Sequence, residues 1–172
     1  MFIKYIKEIS LKKKLKKSLL NVRYSTQTTP IQTIGILIDE SYFNQKEELI
    51  QELIGFGIKE ENIKMLVFRD KIKKNDVFSQ PTFSAKDVKL SGNVFPNFVN
   101  EFANSQFDML LSYYDTEKLP LLVITNQSKA GFKVGFSTVD KRLNHLMINT
   151  NAENYKVFVH ELFRYLKILN KI

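Results

Sequence analysis

Thr33-Ile34-Gly35-Ile36-Leu37-Ile38-Asp39 is a short run of apolar, mostly β-branched residues, the composition of a strand covered on both faces. A helix is predicted to follow over residues 42–57, with Ser41 as its N-cap and glycines marking its end. The apolar run 63–68 predicts a second strand. Strand, helix and strand in succession form a βαβ unit, so these two strands are predicted to be parallel.

The same alternation continues to the end of the chain. Strands are predicted at 107–112, 132–136 and 145–148 with a short one at 87–90, helices at 96–103, 116–127 and 153–169, and a long loop at 69–85. This order favours an α/β fold, a Rossmann-like open, mostly parallel sheet with helices on both faces. The sequence therefore predicts a single α/β domain over residues 31–172.

Composition excludes several classes of protein. The chain has 172 residues, of which 44% are hydrophobic and 26% charged, as in ordinary globular proteins. It has no cysteine, which excludes thiolate catalysis, zinc–cysteine sites and disulfides, and which fits a reducing cytosol. No apolar run approaches the roughly 18 residues that a membrane span needs. Lysines interrupt any apolar core of a signal peptide, although the acid-poor start also resembles an organelle transit peptide. We expect a cytoplasmic protein.

Positive charge is concentrated at the N-terminus. Residues 1–30 contain eight lysines and arginines against Glu8 alone, a net charge of +7, whereas the whole chain carries +8. Apolar residues recur at helical spacing over 2–20, and the polar stretch after them ends at Pro30. We therefore predict a basic amphipathic helical arm and linker over 1–30, outside the α/β domain. Such asymmetry indicates a polyanionic partner for the arm.

A folded body with a basic extension is a common plan among proteins that bind ribosomal RNA. We therefore expect a non-enzymatic binding protein associated with the ribosome or another structured RNA. Its contacts would be to phosphate, which positions a protein without reading sequence. The alternative partners are an anionic membrane surface and another protein. The predicted contacts are Lys7, Lys12, Lys13, Lys14, Lys16, Lys17 and Arg23, with a second patch at Lys71, Lys73 and Lys74.

An enzymatic alternative rests on two acids. Asp39 follows the first predicted strand and Asp115 follows the strand at 107–112, so both fall at the carboxyl edge of the sheet, where ligands bind in this fold class. With Lys118 they would form the site of a small, degenerate transferase or hydrolase in a concave pocket. The simpler interpretation is that each acid caps the helix that follows it.

Known cofactor and metal motifs are absent from the sequence. Neither G-x-x-x-x-G-K-[ST] nor G-x-G-x-x-G occurs, and the turn after the first strand, Asp39-Glu40-Ser41-Tyr42-Phe43, is acidic and aromatic. His160-Glu161 begins like H-E-x-x-H, but Arg164 stands at the position of the second histidine. We predict no cofactor, no nucleotide, no metal site and no catalytic residue.

Two resemblances to known families accompany these patterns. Phe107-Asp108-Met109-Leu110-Leu111 and the segment 128–136 together resemble the N-terminal Rossmann half of two-domain glycosyltransferases, although no second nucleotide-binding half follows. Over most of the body the chain resembles a group of small uncharacterised bacterial proteins, classed only as a domain of unknown function. The second resemblance implies no activity.

Overall fold

The computed structural model describes residues 2–20, 30–87 and 95–172, without the side chains of 2–8 and 11. Within these ranges the strands are β1 (Ile34–Asp39), β2 (Ile63–Phe68), β3 (Thr82–Phe83), β4 (Met109–Tyr113), β5 (Phe132–Phe136) and β6 (Leu146–Ile148). The helices are α1 (Phe2–Leu19), α2 (Lys46–Gly55), α3 (Asn97–Asn104), α4 (Leu119–Gln127) and α5 (Tyr155–Ile168).

The strands form one sheet in the order β3-β2-β1-β4-β5-β6, and every neighbouring pair is parallel. This confirms the predicted Rossmann-like α/β fold. β1 lies at the centre, where Ile36 is in register with Met65 of β2 and Leu111 of β4. All six residues of β1 are buried because strands flank it on both sides and helices cover both faces.

Side chains of β1 alternate between two apolar layers. Ile36 and Ile38 pack with residues of α2 and α5, whereas Leu37 packs with residues of α3 and α4. The chain passes from β1 to β2 through α2 on one face, and from β4 to β5 through α4 on the other. The two crossovers run in opposite directions on opposite faces, so they have the same hand.

The basic helix α1 packs against α4. Its Leu15 and Leu19 are only 9% and 5% exposed and belong to the same apolar layer as α3 and α4. Asn126 Nδ2 also donates a hydrogen bond of 2.9 Å to Ser18 Oγ. This helix was predicted to lie outside the domain, but its leucines, spaced four residues apart, give it an apolar side that the domain covers. The predicted linker at 25–29 lies outside the described residues.

Two predicted elements differ from the structure. Asp87 of the strand expected at 87–90 lies in a short 3₁₀ turn over Ala85–Asp87, and residues 88–90 lie outside the described residues. The sheet instead gains β3 inside the predicted loop 69–85, where two residues pair with Val67 and Phe68. A strand this short has no apolar periodicity that could have revealed it.

Candidate functional site

The carboxyl edge of the sheet contains a topological switch point between β1 and β4. The chain leaves β1 toward β2 and leaves β4 toward β5, so the connections that follow these two neighbouring strands diverge. Ligands of open α/β sheets bind in the crevice that such a divergence opens. Asp39 ends β1, and Asp115 follows β4 by two residues, so both predicted acids lie at this edge.

Asp39 is buried, and each of its two carboxylate oxygens has a partner. It is 6% exposed, and its Oδ1 accepts a hydrogen bond of 3.0 Å from the Ser41 backbone N–H. Its Oδ2 lies 2.6 Å from Lys118 Nζ, which also lies 2.9 Å from Asp70 Oδ2. The structure therefore brings together Asp39 and Lys118, which the enzymatic alternative had placed in one site. A buried carboxylate requires such a partner.

Lys118 is enclosed by acids and aromatic rings. Its Nζ lies 4.6 Å from the centroid of the Tyr42 ring and 5.2 Å from that of the Phe68 ring. Burial alone would lower the pKa of Lys118, but hydrogen bonds to Asp39 and Asp70 outweigh it and raise that pKa above its usual value. Lys118 is therefore a fixed cation, and a proton-accepting role at neutral pH is incompatible with this environment.

Glu40 forms the neighbouring ion-pair cluster. Its carboxylate pairs with Lys46 Nζ and accepts a hydrogen bond of 2.6 Å from Arg69 Nε. Burial would raise the pKa of Glu40, but the two cations together lower it below its usual value. The acidic turn after β1 is thus neutralised by basic residues from α2 and from the connection after β2.

Asp115 is held by segments distant in sequence. Its Oδ2 accepts a hydrogen bond of 2.8 Å from the Ala152 backbone N–H, and its backbone oxygen accepts one of 2.6 Å from Thr138 Oγ1. Tyr113 Oη donates to the Ala152 backbone oxygen at 2.6 Å. The turn before α5 is therefore bonded to the end of β4 through both the backbone N–H and the backbone oxygen of Ala152.

The predicted helix caps are not formed. α2 begins at Lys46 after the N-cap Gln45, and α4 begins at Leu119 after Lys118, so each starts several residues beyond the acid expected to cap it. Neither helix has a side-chain cap. Ser41, the predicted N-cap, instead accepts a hydrogen bond of 2.9 Å from the Asp70 backbone N–H through its Oγ. Several residues separate each strand from the helix that follows it. The two acids therefore form hydrogen bonds and an ion pair within turns and between distant segments, and do not cap the helices.

A pocket of about 250 Å³ opens between the ends of β1 and β4. It is a small cavity by the standard of ligand sites, which usually range from 300 to 1,000 Å³. Both predicted acids line it, together with aromatic residues and the turn that precedes α5. We call it the switch-point pocket, and its walls include Asp39, Tyr42, Phe43, Tyr113, Asp115 and Glu153.

A second concavity, of about 320 Å³, lies beside β2 on the edge that β3 leaves uncovered. β3 pairs only with Val67 and Phe68, so Ile63–Leu66 have no described strand on that side. The walls include Phe98 and Phe102 of α3, with Lys64 and Glu101 as the ionisable groups. It is larger than the switch-point pocket but lies away from the switch point and has fewer ionisable groups.

Two residues of the sequence motifs that were compared with metal sites, His145 and Arg164, make other contacts in this fold. Among the described residues, no group of three or more histidines and acids is placed to hold a metal ion. His145 Nδ1 accepts a hydrogen bond of 2.8 Å from the Lys133 backbone N–H, and its ring stacks on Phe132 with centroids 5.5 Å apart. Arg164, which stands at the position of the second histidine of H-E-x-x-H, pairs with Glu161 at 2.6 Å.

Basic residues of α1 form a continuous exposed surface. Leu15 points toward α4, and the lysines around it are all exposed. We call this surface the lysine face, and it consists of Lys12, Lys13, Lys14, Lys16 and Lys17. Lys7 also lies in α1, but its side chain is not among those described. Arg23 lies outside the described residues. Lys71, Lys73 and Lys74 are exposed on a different part of the molecule, the connection between β2 and β3.

Comparison with known proteins identifies the family. The model of DUF6913, a family of unknown function, matches residues 7–169, so the chain belongs to this family. The match confirms the resemblance to a domain of unknown function and gives no support to the local likeness to glycosyltransferases. No curated protein and no solved structure shows significant similarity to the chain. In the described residues, no helix is both long and apolar enough to cross a membrane.

Proposed function

We propose that this member of the DUF6913 family binds a polyanion through the lysine face of α1, and that the polyanion is a structured RNA such as ribosomal RNA. The observation that carries the proposal is the way α1 is fixed. Leu15 and Leu19 are buried against the domain, while five lysines within six positions face solvent. A docked helix presents its charges at fixed spacings, so binding requires less ordering than a detached arm would.

The geometry of the helix suits a row of phosphates. Lys13 and Lys17 are four residues apart, as are Lys12 and Lys16, so each pair is separated by about 6 Å along the helix axis. Neighbouring lysines raise one another's electrostatic energy, and a polyanion relieves that repulsion. Each phosphate that a lysine neutralises releases counterions, which makes the affinity strongly dependent on salt.

Charge distribution supports a polyanion over an acidic small molecule. α1 carries seven lysines and one glutamate, a net +6 out of the chain's +8, so the remainder of the protein is nearly balanced. Lys71, Lys73 and Lys74 add an exposed cluster on the connection between β2 and β3. We propose that this cluster contacts more distant phosphates of the same RNA.

The docking of α1 favours RNA over a lipid surface. Stable interfacial helices bury an apolar side in the membrane in addition to their basic charges. In α1 the apolar side that contains Leu15 and Leu19 is already occupied by α4 and its neighbours. The lysine face alone would bind anionic lipid only electrostatically, whereas contact with RNA phosphates requires no apolar side.

The test compares two double variants that change charge equally on opposite faces of the sheet. K13Q/K17Q alters the lysine face, and K156Q/K167Q removes two exposed lysines of α5. We expect wild-type protein to travel with a ribosomal peak in a low-salt sucrose gradient and K13Q/K17Q to remain at the top. With a purified ribosomal RNA fragment, K13Q/K17Q should lower the slope of log K against log salt concentration by about 2.

The α5 variant should behave as the wild type in both measurements. Equal losses for the two double variants would contradict the proposal, because binding would then follow net charge and not the lysine face. Wild-type protein that stays at the top of the gradient and binds the RNA fragment no better than it binds heparin would exclude ribosomal RNA. Stronger binding to phosphatidylserine vesicles than to RNA at the same salt would assign the lysine face to a membrane surface.

A further inference from the structure

We propose that the switch-point pocket is a second binding site, independent of the lysine face, and that it takes a small organic cation, a primary ammonium group on a compact apolar body. The site lies where the fold class binds its ligands, between the carboxyl ends of β1 and β4. Its walls combine carboxylates with aromatic rings, which is the chemistry that recognises an organic ammonium ion.

The dimensions of the pocket limit the ligand. A volume of about 250 Å³ is too small for a dinucleotide and fits a molecule of amino-acid size or slightly larger. The turn after β1 has no glycine that would let the backbone close around a phosphate. Its acidic residues would also repel a phosphate. The pocket therefore differs in both size and charge from the nucleotide sites common in this fold class.

The charge of the pocket is negative. Three carboxylates line it, those of Asp39, Asp115 and Glu153. Asp39 is neutralised by Lys118. Within the described part of the chain, neither Asp115 nor Glu153 forms a salt bridge, so two negative charges remain at the pocket. An entering cation would be attracted to these charges, and an anion would be repelled.

Asp115 is the group best placed to accept a hydrogen bond from the ligand. Its Oδ2 is fixed by the Ala152 backbone N–H at 2.8 Å. Its Oδ1 has a contact of 3.5 Å with Thr116 Oγ1, at the outer limit of a hydrogen bond. One oxygen thus orients the carboxylate while the other keeps most of its accepting capacity, the arrangement expected of a pre-organised site.

The aromatic walls supply the contact for the body of the ligand. Tyr42 is the aromatic wall residue that is open to a ligand, since it is 76% exposed. The buried rings of Phe43 and Tyr113 lie behind the pocket with centroids 5.0 Å apart and keep its wall rigid. The same edge already holds one ammonium ion by this chemistry, because Lys118 Nζ lies over the Tyr42 ring and bonds to Asp39. A ligand ammonium at Asp115 would repeat that arrangement in the open part of the pocket.

Three probes of similar size separate charge from shape: phenethylammonium, phenethyl alcohol and hydrocinnamate, which are cationic, neutral and anionic. Each is titrated into isotope-labelled full-length protein at low salt, and backbone amide shifts are followed by NMR. We expect saturable shifts from phenethylammonium at Tyr42, Asp115 and Ala152. The alcohol should bind about tenfold more weakly, the difference expected for one charge-assisted hydrogen bond, and hydrocinnamate should not bind.

Two variants locate the effect. D115N keeps an oxygen that can accept from Ala152 and should weaken phenethylammonium about tenfold. E61Q removes an equal charge from an exposed position before β2, at the opposite edge of the sheet, and should leave the affinity unchanged. E153Q, at an exposed position of the pocket wall, provides a second test if D115N loses its dispersed spectrum; it should weaken binding severalfold.

The proposal would be overturned by any of three results. The first is equal affinity for the cationic and neutral probes, which would leave an apolar pocket without charge selection. The second is a loss in E61Q as large as that in the pocket variant, which would reduce the effect to net charge. The third is shifts that are absent or that map away from Tyr42, Asp115 and Ala152.

Discussion

Lys118 Nζ lies 2.6 Å from Asp39 Oδ2, which joins the residue before α4 to the last residue of β1. Both side chains are largely buried, with exposed fractions of 15% for Lys118 and 6% for Asp39. Their pairing spans the switch point between β1 and β4. It therefore fixes one wall of the crevice in which the switch-point pocket lies.

Replacing Lys118 by methionine is expected to destabilise the protein by about 3 kcal/mol, because it leaves Asp39 buried without its cation. The double variant K118M/D39N should lose less than the sum of the two single losses, since neither charge then remains unpaired. Urea unfolding of the four proteins gives the coupling energy. Additive losses would show that the pair contributes nothing beyond its separate residues.

The pKa of Lys133 is shifted in the opposite direction from that of Lys118. Burial lowers the pKa of Lys133 to about 8, while its Nζ donates hydrogen bonds of 2.8 and 3.4 Å to the backbone oxygens of Thr125 and Asn126 at the end of α4. The folded pKa lies below the unfolded value of about 10.4, so the unfolded chain binds more protons between these two values. Stability contributed by this group therefore increases as pH rises from about 8 toward 10.4.

The measurement is urea unfolding at several pH values between 7 and 10, with NMR of labelled lysine side chains to follow the titration. The variant K133M should lose the increase, and K156M on the exposed side of α5 should retain it. A Lys133 that titrates together with the exposed lysines would contradict the prediction. Lys118 does not produce the increase, because its raised pKa keeps its contribution intact until pH exceeds its unfolded value.

The central strands were predictable because burial leaves a strong mark in their sequence. β1 is apolar at five of its six positions since both of its faces are covered. β4 is likewise buried at every position and is mostly apolar. The rule that carboxyl ends of parallel strands meet at one edge was enough to bring Asp39 and Asp115 together. It could not supply Ala152 or Thr138, which bond to Asp115 from turns whose paths depend on the whole fold.

The composition of α4 is a sequence signal for the docking of α1. α4 is apolar on nearly every side, and Leu121, Leu122, Val123, Ile124 and Thr125 are all buried. A helix of this composition cannot lie on a sheet with its outer side in water, so another element has to cover it. Leu15 and Leu19 of α1, spaced four residues apart, cover this outer side of α4. Charge asymmetry alone does not distinguish a docked basic helix from a detached one.

Gly35 is expected to tolerate no side chain. A Cβ at this position of β1 would lie 2.5 Å from Cδ2 and Cε2 of the buried Phe107 ring. G35A should therefore cost about 1 to 3 kcal/mol of stability through overpacking. G55A is the matched control, because a Cβ there meets no atom within 4 Å, and alanine at the end of α2 should leave stability unchanged or raise it slightly. Thermal and urea unfolding measure both; equal effects would contradict the packing argument.

The attachment of α1 is tested by shortening one leucine. Leu19 is 5% exposed in the apolar layer, whereas the adjacent Leu20 is 77% exposed. L19A should destabilise the protein by about 2 to 3 kcal/mol and L20A by less than about 0.5 kcal/mol, because only the first opens a cavity. L19A should also weaken RNA binding, since α1 would present the lysine face less rigidly. If the helix were a detached arm, both variants would unfold as the wild type does and bind RNA equally well.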